Sequence, residues 1–185
     1  MIRLKCHLKS ESDLTFGKAI REEKGANEDY DQFEERTWRL KAHTNNGKVT
    51  IPGTMFHQSL IETAKFLGKK IRGRGSATYT NHFKAGIVIE NCIDLEIALE
   101  ELEPEWVFVP ADGKKGSGSR VYKCFPLIRS WEGDLFVTIL DDQITKNIFE
   151  EHLKAAGIYI GIGTFRPIKG GYHGRFSVTS LEEIK

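Results

Sequence analysis

Two amphipathic segments, separated by segments with β-strand patterning, constrain the fold of this chain most strongly. Apolar residues recur at helical spacing over 55–67, between an expected N-cap at Thr54 and an expected stop at Gly68. The same spacing recurs from Thr145 to Ala156. The segments with β-strand patterning are 2–8, 86–89, 107–109, 121–128, 135–140 and 176–178. Reduced to core elements, the order is strand, helix, strand, strand, helix, strand.

This order predicts an α+β fold with a ferredoxin-like, or RRM-like, βαββαβ core that carries inserted strands and long loops. Two helices would cover one face of an antiparallel sheet, and the other face would be free to bind, as in RNA-recognition domains. We expect one domain over 1–185, with insertions at about 10–35, which is strongly acidic, and at about 68–120. Asn45-Asn46-Gly47 predicts a hairpin, 38–43 a strand, and 121–140 a second hairpin.

Bulk properties exclude several classes of protein. The formal net charge of +1 argues against a strongly basic protein that coats duplex DNA, although local clusters of charge decide nucleic-acid binding. Cys6, Cys92 and Cys124 form no CxxC pair, so we expect reduced, buried thiols and no metal site. No signal peptide or long apolar run is visible, which predicts a cytoplasmic protein that does not contact membranes.

Three segments are basic, rich in glycine and carry aromatic or hydroxyl side chains: 65–84, 112–120 and 161–176. Glycine lets a backbone approach a ligand closely, and unpaired N–H groups of such a loop can line an anion site. Arginine and lysine bind phosphates, and aromatic rings stack on unpaired bases. The alternative for each segment is a solvated loop, and the binding hypothesis requires that all three converge on one groove. The predicted phosphate contacts are Lys69, Lys70, Arg72, Arg74, Lys114, Lys115, Arg120, Arg166, Lys169 and Arg175, and the predicted stacking residues are Tyr79, His82, Phe83 and Tyr172.

The sequence also resembles the RAMP superfamily of CRISPR-associated proteins (repeat-associated mysterious proteins), most of all the backbone subunits that line guide RNA. Residues 51–55, Ile-Pro-Gly-Thr-Met, are similar to the family's strand–Pro-Gly–helix junction, and 161–175 looks like the glycine-rich loop after the last helix. The chain further resembles proteins carried by bacteriophages and prophages. The resemblance implies a ferredoxin-like RNA-binding fold, head-to-tail assembly along a strand, and often no catalysis.

Three functional hypotheses follow. The favoured one is a non-catalytic protein that binds single-stranded RNA or DNA, resembles CRISPR effector backbone subunits, and forms a homo-oligomer or filament along the strand. The second is a phage protein that inhibits or mimics a CRISPR effector subunit by binding effector proteins. The third is a RAMP-type endoribonuclease. No cofactor is expected, because P-loop, Rossmann, HExxH and GxSxG motifs are missing from the sequence. The candidates for catalysis are His43, His57, His173, Asp29 and Asp31.

Overall fold

The computed structural model describes residues 1–111 and 118–185 and has the predicted α+β class. Its strands are β1 (Ile2–Ser10), β2 (Leu14–Thr15), β3 (Thr44–Asn45), β4 (Lys48–Ile51), β5 (Ile87–Ile89), β6 (Ile93–Ala98), β7 (Glu103–Pro110), β8 (Arg120–Ile128), β9 (Glu132–Ile139) and β10 (Phe176–Ile184). Its helices are α1 (Tyr30–Thr37), α2 (Gly53–Leu67), α3 (Thr80–Ala85) and α4 (Lys146–Ala155). Turns of 3₁₀-helix lie at Trp38–Lys41, Leu99–Glu101 and Pro167–Lys169, and a π-helical turn lies at Ala156–Ile160. Within these described ranges, no helix is both long and apolar enough to cross a membrane.

The strands of the described residues form three antiparallel sheets. The largest has the order β10-β1-β9-β5, and the other two have the orders β2-β8-β7 and β3-β4-β6. Along the chain, the strands of the large sheet and the two longest helices follow one another as β1, α2, β5, β9, α4 and β10. Phe56 of α2 packs against Phe176 of β10, with ring centroids 5.7 Å apart, so α2 lies on the inner face of this sheet.

Alternation along β1 separates the two faces of the large sheet. Leu4, Cys6 and Leu8 are fully buried against the core, as the period of two predicts. The side chains that alternate with them point to the other face, where Arg3 pairs with Glu90 at 2.6 Å and Lys5 pairs with Asp134 at 3.0 Å. The face that we expected to be free for binding therefore carries paired charges.

Two helix termini and one turn follow the predictions from sequence, but the expected N-cap at Thr54 is wrong, because α2 already begins at Gly53 with Pro52 as its N-cap. Gly68 ends α2 in the left-handed conformation, with φ of 55°, which glycine adopts without steric cost. The Thr145 hydroxyl accepts from the Ile148 N–H and caps α4. Asn46 and Gly47 both have positive φ (49° and 80°) and join β3 to β4, as a type I′ hairpin turn requires.

Other predictions were wrong. The predicted strand at 38–43 is mostly a 3₁₀ turn at Trp38–Lys41, which continues α1. The hairpin predicted over 121–140 does not form, because β8 pairs with β7 along its length while β9 joins the other sheet beside β1. Burial of alternate β9 side chains against the same core as those of β1 favours that pairing. Cys92 is exposed, whereas the other two cysteines are buried thiols.

Candidate nucleic-acid interface

The glycine-rich loop, defined as residues 161–175, holds its shape through its own backbone hydrogen bonds. The Ile162 N–H donates to the Gly174 carbonyl at 3.0 Å, and the His173 N–H donates to the Phe165 carbonyl at 3.1 Å. The Thr164 N–H donates to the Thr15 carbonyl at 2.9 Å, which attaches the loop to β2. Most N–H groups of the loop are used in this way. Fewer unpaired backbone N–H groups are therefore left for an anion than we expected from the sequence.

Two positions show why this loop has a single conformation. Phe165 has a φ of 57°, which is unusual for a residue with a side chain, and its ring packs edge-on against Phe125 at 5.1 Å. A Cβ at Gly171 would lie 1.7 Å from the Phe165 carbonyl oxygen, so only glycine fits there. Close backbone packing thus fixes the path of the loop.

Two adjoining clefts run along the loop. The first has a volume of about 310 Å³ and lies between the loop and the start of α2. The second, of about 890 Å³, lies over the loop itself. Both include Gly163, Thr164 and Arg166, so we treat them as one feature, the loop groove. Its other lining residues are Gly17, Lys18, His43, Thr54, Met55, Gln58, Phe165, Ile168, Lys169, Gly170 and Gly171.

The loop groove is cationic. Lys18 and Lys169 are exposed and have no ion-pair partner in the described part of the chain. Arg166 donates to the Glu62 carboxylate at 3.0 Å, which fixes the guanidinium beside α2. Residues Thr54, Met55 and Gln58 bring the N-terminal end of α2 to the groove, and the positive end of a helix dipole favours anions. Positive charge and hydroxyl groups in one groove suit a phosphodiester backbone.

His43 supplies a neutral imidazole to the same groove. Its ring packs edge-on against Phe16, with centroids 5.5 Å apart. Burial, and then the nearby charge of Lys18, lower the pKa of His43 below its ordinary value of 6.5. At pH 7 this side chain is therefore uncharged and able to accept a proton.

The loop places its predicted residues in two settings. Arg166 and Lys169 line the loop groove, as described above. Tyr172 is 80% exposed, so its ring is accessible to a ligand. The Arg175 guanidinium donates to the carbonyls of Ile158 and Tyr172, at 3.3 and 3.2 Å, and lies at the far end of the loop.

The 65–84 segment does not line the loop groove. Lys69 pairs with Glu151 of α4, and Lys70, Arg72 and Arg74 are exposed between α2 and α3. His82 bonds to Asp141 at 2.6 Å.

Two stacking predictions in that segment are wrong. Tyr79 is 8% exposed and Phe83 is fully buried. The two rings contact His152, with centroids 5.8 and 4.3 Å apart, so neither offers a face to a base. α3 turns both side chains into the core.

The third segment also lies apart. Arg120 donates to the Phe108 carbonyl at 2.7 Å and covers the Phe108 ring at 5.1 Å, at the outer end of β7 and β8. Lys114 and Lys115 lie outside the described residues. Among the predicted cations in the described ranges, only Arg166 and Lys169 line the loop groove. The hypothesis of one groove built from all three segments is therefore wrong for the parts that the structure describes.

The catalytic candidates are not brought together. His43 lines the groove, whereas His173 lies 3.3 Å from the Thr15 hydroxyl and 3.6 Å from the Glu105 carboxylate. His57 lies on α2, and its Nε2 is buried without a hydrogen-bond partner in the described ranges. Asp29 caps α1 and, with Asp31, lines a separate cleft beside Trp106 and Tyr122.

Sequence reasoning missed Lys18, Thr54 and Gln58 as lining residues of the groove. Lys18 lies in a stretch that is otherwise acidic, and Thr54 was interpreted only as a helix cap. One signal in the sequence could have identified two of them. Thr54 and Gln58 lie one turn apart at the start of α2, so they share a helix face beside the Pro-Gly junction of residues 51–55.

Comparisons with known proteins bear on the fold. No protein-family model matches this chain, and no curated protein matches its sequence. A chain of the type III-B Cmr-beta complex, solved by cryo-electron microscopy with cognate target RNA, matches with a TM-score of 0.55 and 10% identity. That match covers 100% of this chain but only 61% of the Cmr-beta chain. Cmr6 from Pyrococcus furiosus matches with a TM-score of 0.50 and 13% identity, over 95% of this chain and 97% of Cmr6. The chain therefore has a RAMP-like fold, as the sequence resemblance predicted.

Proposed function

We propose that this protein binds single-stranded nucleic acid, RNA or DNA, in the loop groove, as a CRISPR-associated binding protein without catalytic activity. The observation that supports this most directly is the convergence of Lys18, Arg166 and Lys169 on one groove at the start of α2. The similar fold of a Cmr-beta chain, in a complex bound to cognate target RNA, supports the same class of ligand. The exposed cations Lys70, Arg72 and Arg74 remain predicted contacts for a strand that extends beyond the groove.

We also propose how the fold is organised around this site. The elements β1, α2, β5, β9, α4 and β10 follow one another in the order of a ferredoxin-like core. The chain would then be a single RAMP-like domain with two insertions, one at 10–35 and one over 68–120. β5 lies within the second range but belongs to the core sheet. A nucleic-acid strand longer than one groove would bind several copies of the protein, so we propose a homo-oligomer or filament along that strand. We also propose contacts with CRISPR effector proteins.

Reversing two groove charges tests the proposed function. The double variant Lys18→Glu/Lys169→Glu should bind a single-stranded oligonucleotide at least about tenfold more weakly, because two phosphate contacts become repulsive. The slope of log affinity against log salt concentration should become shallower by about 1.4, since each contact to a single strand contributes about 0.7. Fluorescence anisotropy over a series of salt concentrations measures both quantities. Both lysines are exposed, so the fold should be retained.

The matched control changes the net charge equally at two lysines that do not line the groove. Lys9→Glu/Lys154→Glu alters exposed lysines of β1 and α4 and should bind nearly as tightly as the wild type. Equal losses in the two double variants would contradict the assigned groove. A wild-type protein that binds no strand at low salt would refute nucleic-acid binding and favour a function based on protein contacts.

The position of His43 favours one second candidate function, metal-independent RNA cleavage with His43 as general base. Because only the neutral imidazole accepts a proton, the cleavage rate should fall as the pH drops through the lowered pKa of His43 and be level above 6.5. His43→Ala should slow cleavage by at least about 100-fold. The measurement is single-turnover cleavage of labelled RNA in the presence of a chelator, with His57→Ala as the control. Intact RNA after prolonged incubation at pH 7 would eliminate this function.

A further inference from the structure

A half-exposed pair of aromatic rings joins the last turn of α2 to the π-helical turn that immediately precedes the glycine-rich loop. Phe66, in the last turn of α2, and Tyr159, in the π-helical turn, are 53% and 51% exposed. Their ring centroids are 5.6 Å apart and their planes are tilted by 30°. Much of each side chain thus stays in water, whereas Phe56, Phe83 and Phe149 are fully buried. Neither residue was among the predicted contacts.

Cationic side chains flank this pair. Glu62, which holds Arg166 at 3.0 Å, lies one helical turn before Phe66 and therefore on the same face of α2. The Arg175 guanidinium donates to the carbonyl of Ile158, the residue before Tyr159. The Arg166–Glu62 ion pair thus lies one helical turn from Phe66, and the Arg175 guanidinium lies beside the backbone next to Tyr159.

We infer that Phe66 and Tyr159 form a stacking platform for an unpaired base of the strand held in the loop groove, an inference that rests on the proposed function. Phosphates would contact Arg166 and Arg175 while a base covers the exposed ring surface. Base–aromatic stacking tolerates any base, because every base has a π face. In a duplex the faces of the bases are covered by their neighbours, so the platform favours single strands over duplexes. It thereby adds selectivity to a groove whose charges alone would accept either form.

A second exposed aromatic pair shows why charge matters to this assignment. Phe108 and Tyr122 also contact each other, with centroids 5.0 Å apart, and Tyr122 is 54% exposed. Tyr122, however, lines a cleft with Asp31 and Glu35, whose charge repels phosphates. Tyr122 is therefore a control of similar exposure that lies beside carboxylates, whereas Arg120 covers the ring of Phe108.

The test compares normal and abasic strands, which carry the same phosphates with and without bases. For the full chain, Tyr159→Leu and Phe66→Leu should each lower affinity for a normal single strand by about tenfold. Affinity for the abasic strand should be unchanged. Tyr159→Phe should behave as wild type because it keeps the ring, and Tyr122→Leu should alter neither affinity. The wild type should also bind a hairpin duplex of equal charge more weakly than the normal strand, and Tyr159→Leu should reduce that preference.

The outcomes separate this inference from the proposed function. If Tyr159→Leu and Phe66→Leu bind normal strands as tightly as wild type, or lose affinity equally for normal and abasic strands, the platform is refuted while groove binding stands. If the wild type binds neither strand, the proposed function itself fails. Melting temperatures of the leucine variants close to wild type would show that any lost affinity does not arise from unfolding.

Discussion

Gly174→Ala should destabilise the protein by at least about 3 kcal/mol, as measured by urea unfolding. Gly174 has a φ of 76°, which disfavours any residue with a Cβ. An added Cβ would lie 1.9 Å from the Ile162 carbonyl oxygen and 2.9 Å from its carbon. These are backbone atoms, so no side chain can rotate to relieve the contact. The loop must move, and we expect binding in the loop groove to be lost with it.

Two other glycines distinguish the two causes of this destabilisation, the positive φ and the close backbone packing. Gly73 has a similar φ of 77°, but nothing lies within 4 Å of an added Cβ, so Gly73→Ala should cost only about 1 kcal/mol from backbone strain. Gly118 is equally open and has no positive φ, so Gly118→Ala should be neutral or slightly stabilising. If Gly174→Ala cost no more than Gly73→Ala, close packing would not determine the shape of the loop.

Lys41→Met should destabilise the protein by roughly 3–5 kcal/mol, because it leaves a buried carboxylate without its counter-charge. Lys41 and Glu34 are each 8% exposed and form an ion pair. The Lys41 ammonium also donates to the Cys124 carbonyl at 2.7 Å, and the Cys124 N–H donates to Glu34 at 2.9 Å. The network joins the segment around α1 to β8, so its loss should weaken both.

The neutral double variant provides the control for that prediction. Glu34→Gln/Lys41→Met removes both charges while the glutamine oxygen can still accept from the Cys124 N–H, so we expect it to recover part of the lost stability. Lys154→Met, at an exposed pair on α4, should change the unfolding free energy by less than about 1 kcal/mol. A Lys41→Met variant as stable as Lys154→Met would show that the buried pair makes no net contribution.

Local signals in the sequence predicted part of this fold. α2 and α4 have a periodic apolar face and recognisable ends at Gly68 and Thr145. α1 was missed because it is polar on nearly every side, although its capping box, Asp29 with Gln32, was visible in the sequence. α3 is too short to show helical periodicity, yet the four-residue spacing of Tyr79 and Phe83 is what one buried helical face would give.

The site was harder to predict than the fold. The glycine-rich loop was recognised from its composition, and Arg166 and Lys169 do line the groove. Lys18 and His43 reach the same groove only because β2 pairs with β8 and the loop bonds to Thr15, which are contacts between distant parts of the chain. The same long-range packing places Arg120 at the outer end of the β7–β8 pair and buries Phe83 in the core. Residue type therefore predicted the chemistry of the contacts, but not which of them share a surface.

The internal hydrogen bonds of the glycine-rich loop have a consequence for the energetics of recognition. Because most of its N–H groups already donate to protein oxygens such as those of Asp13 and Thr15, we expect the loop to need little ordering when a ligand arrives. The entropic penalty of association should then fall mainly on the ligand, whose rotatable bonds become restricted. Calorimetry should accordingly show an entropy loss that grows with the number of nucleotides bound, and the loop should keep the same protection from hydrogen exchange before and after binding.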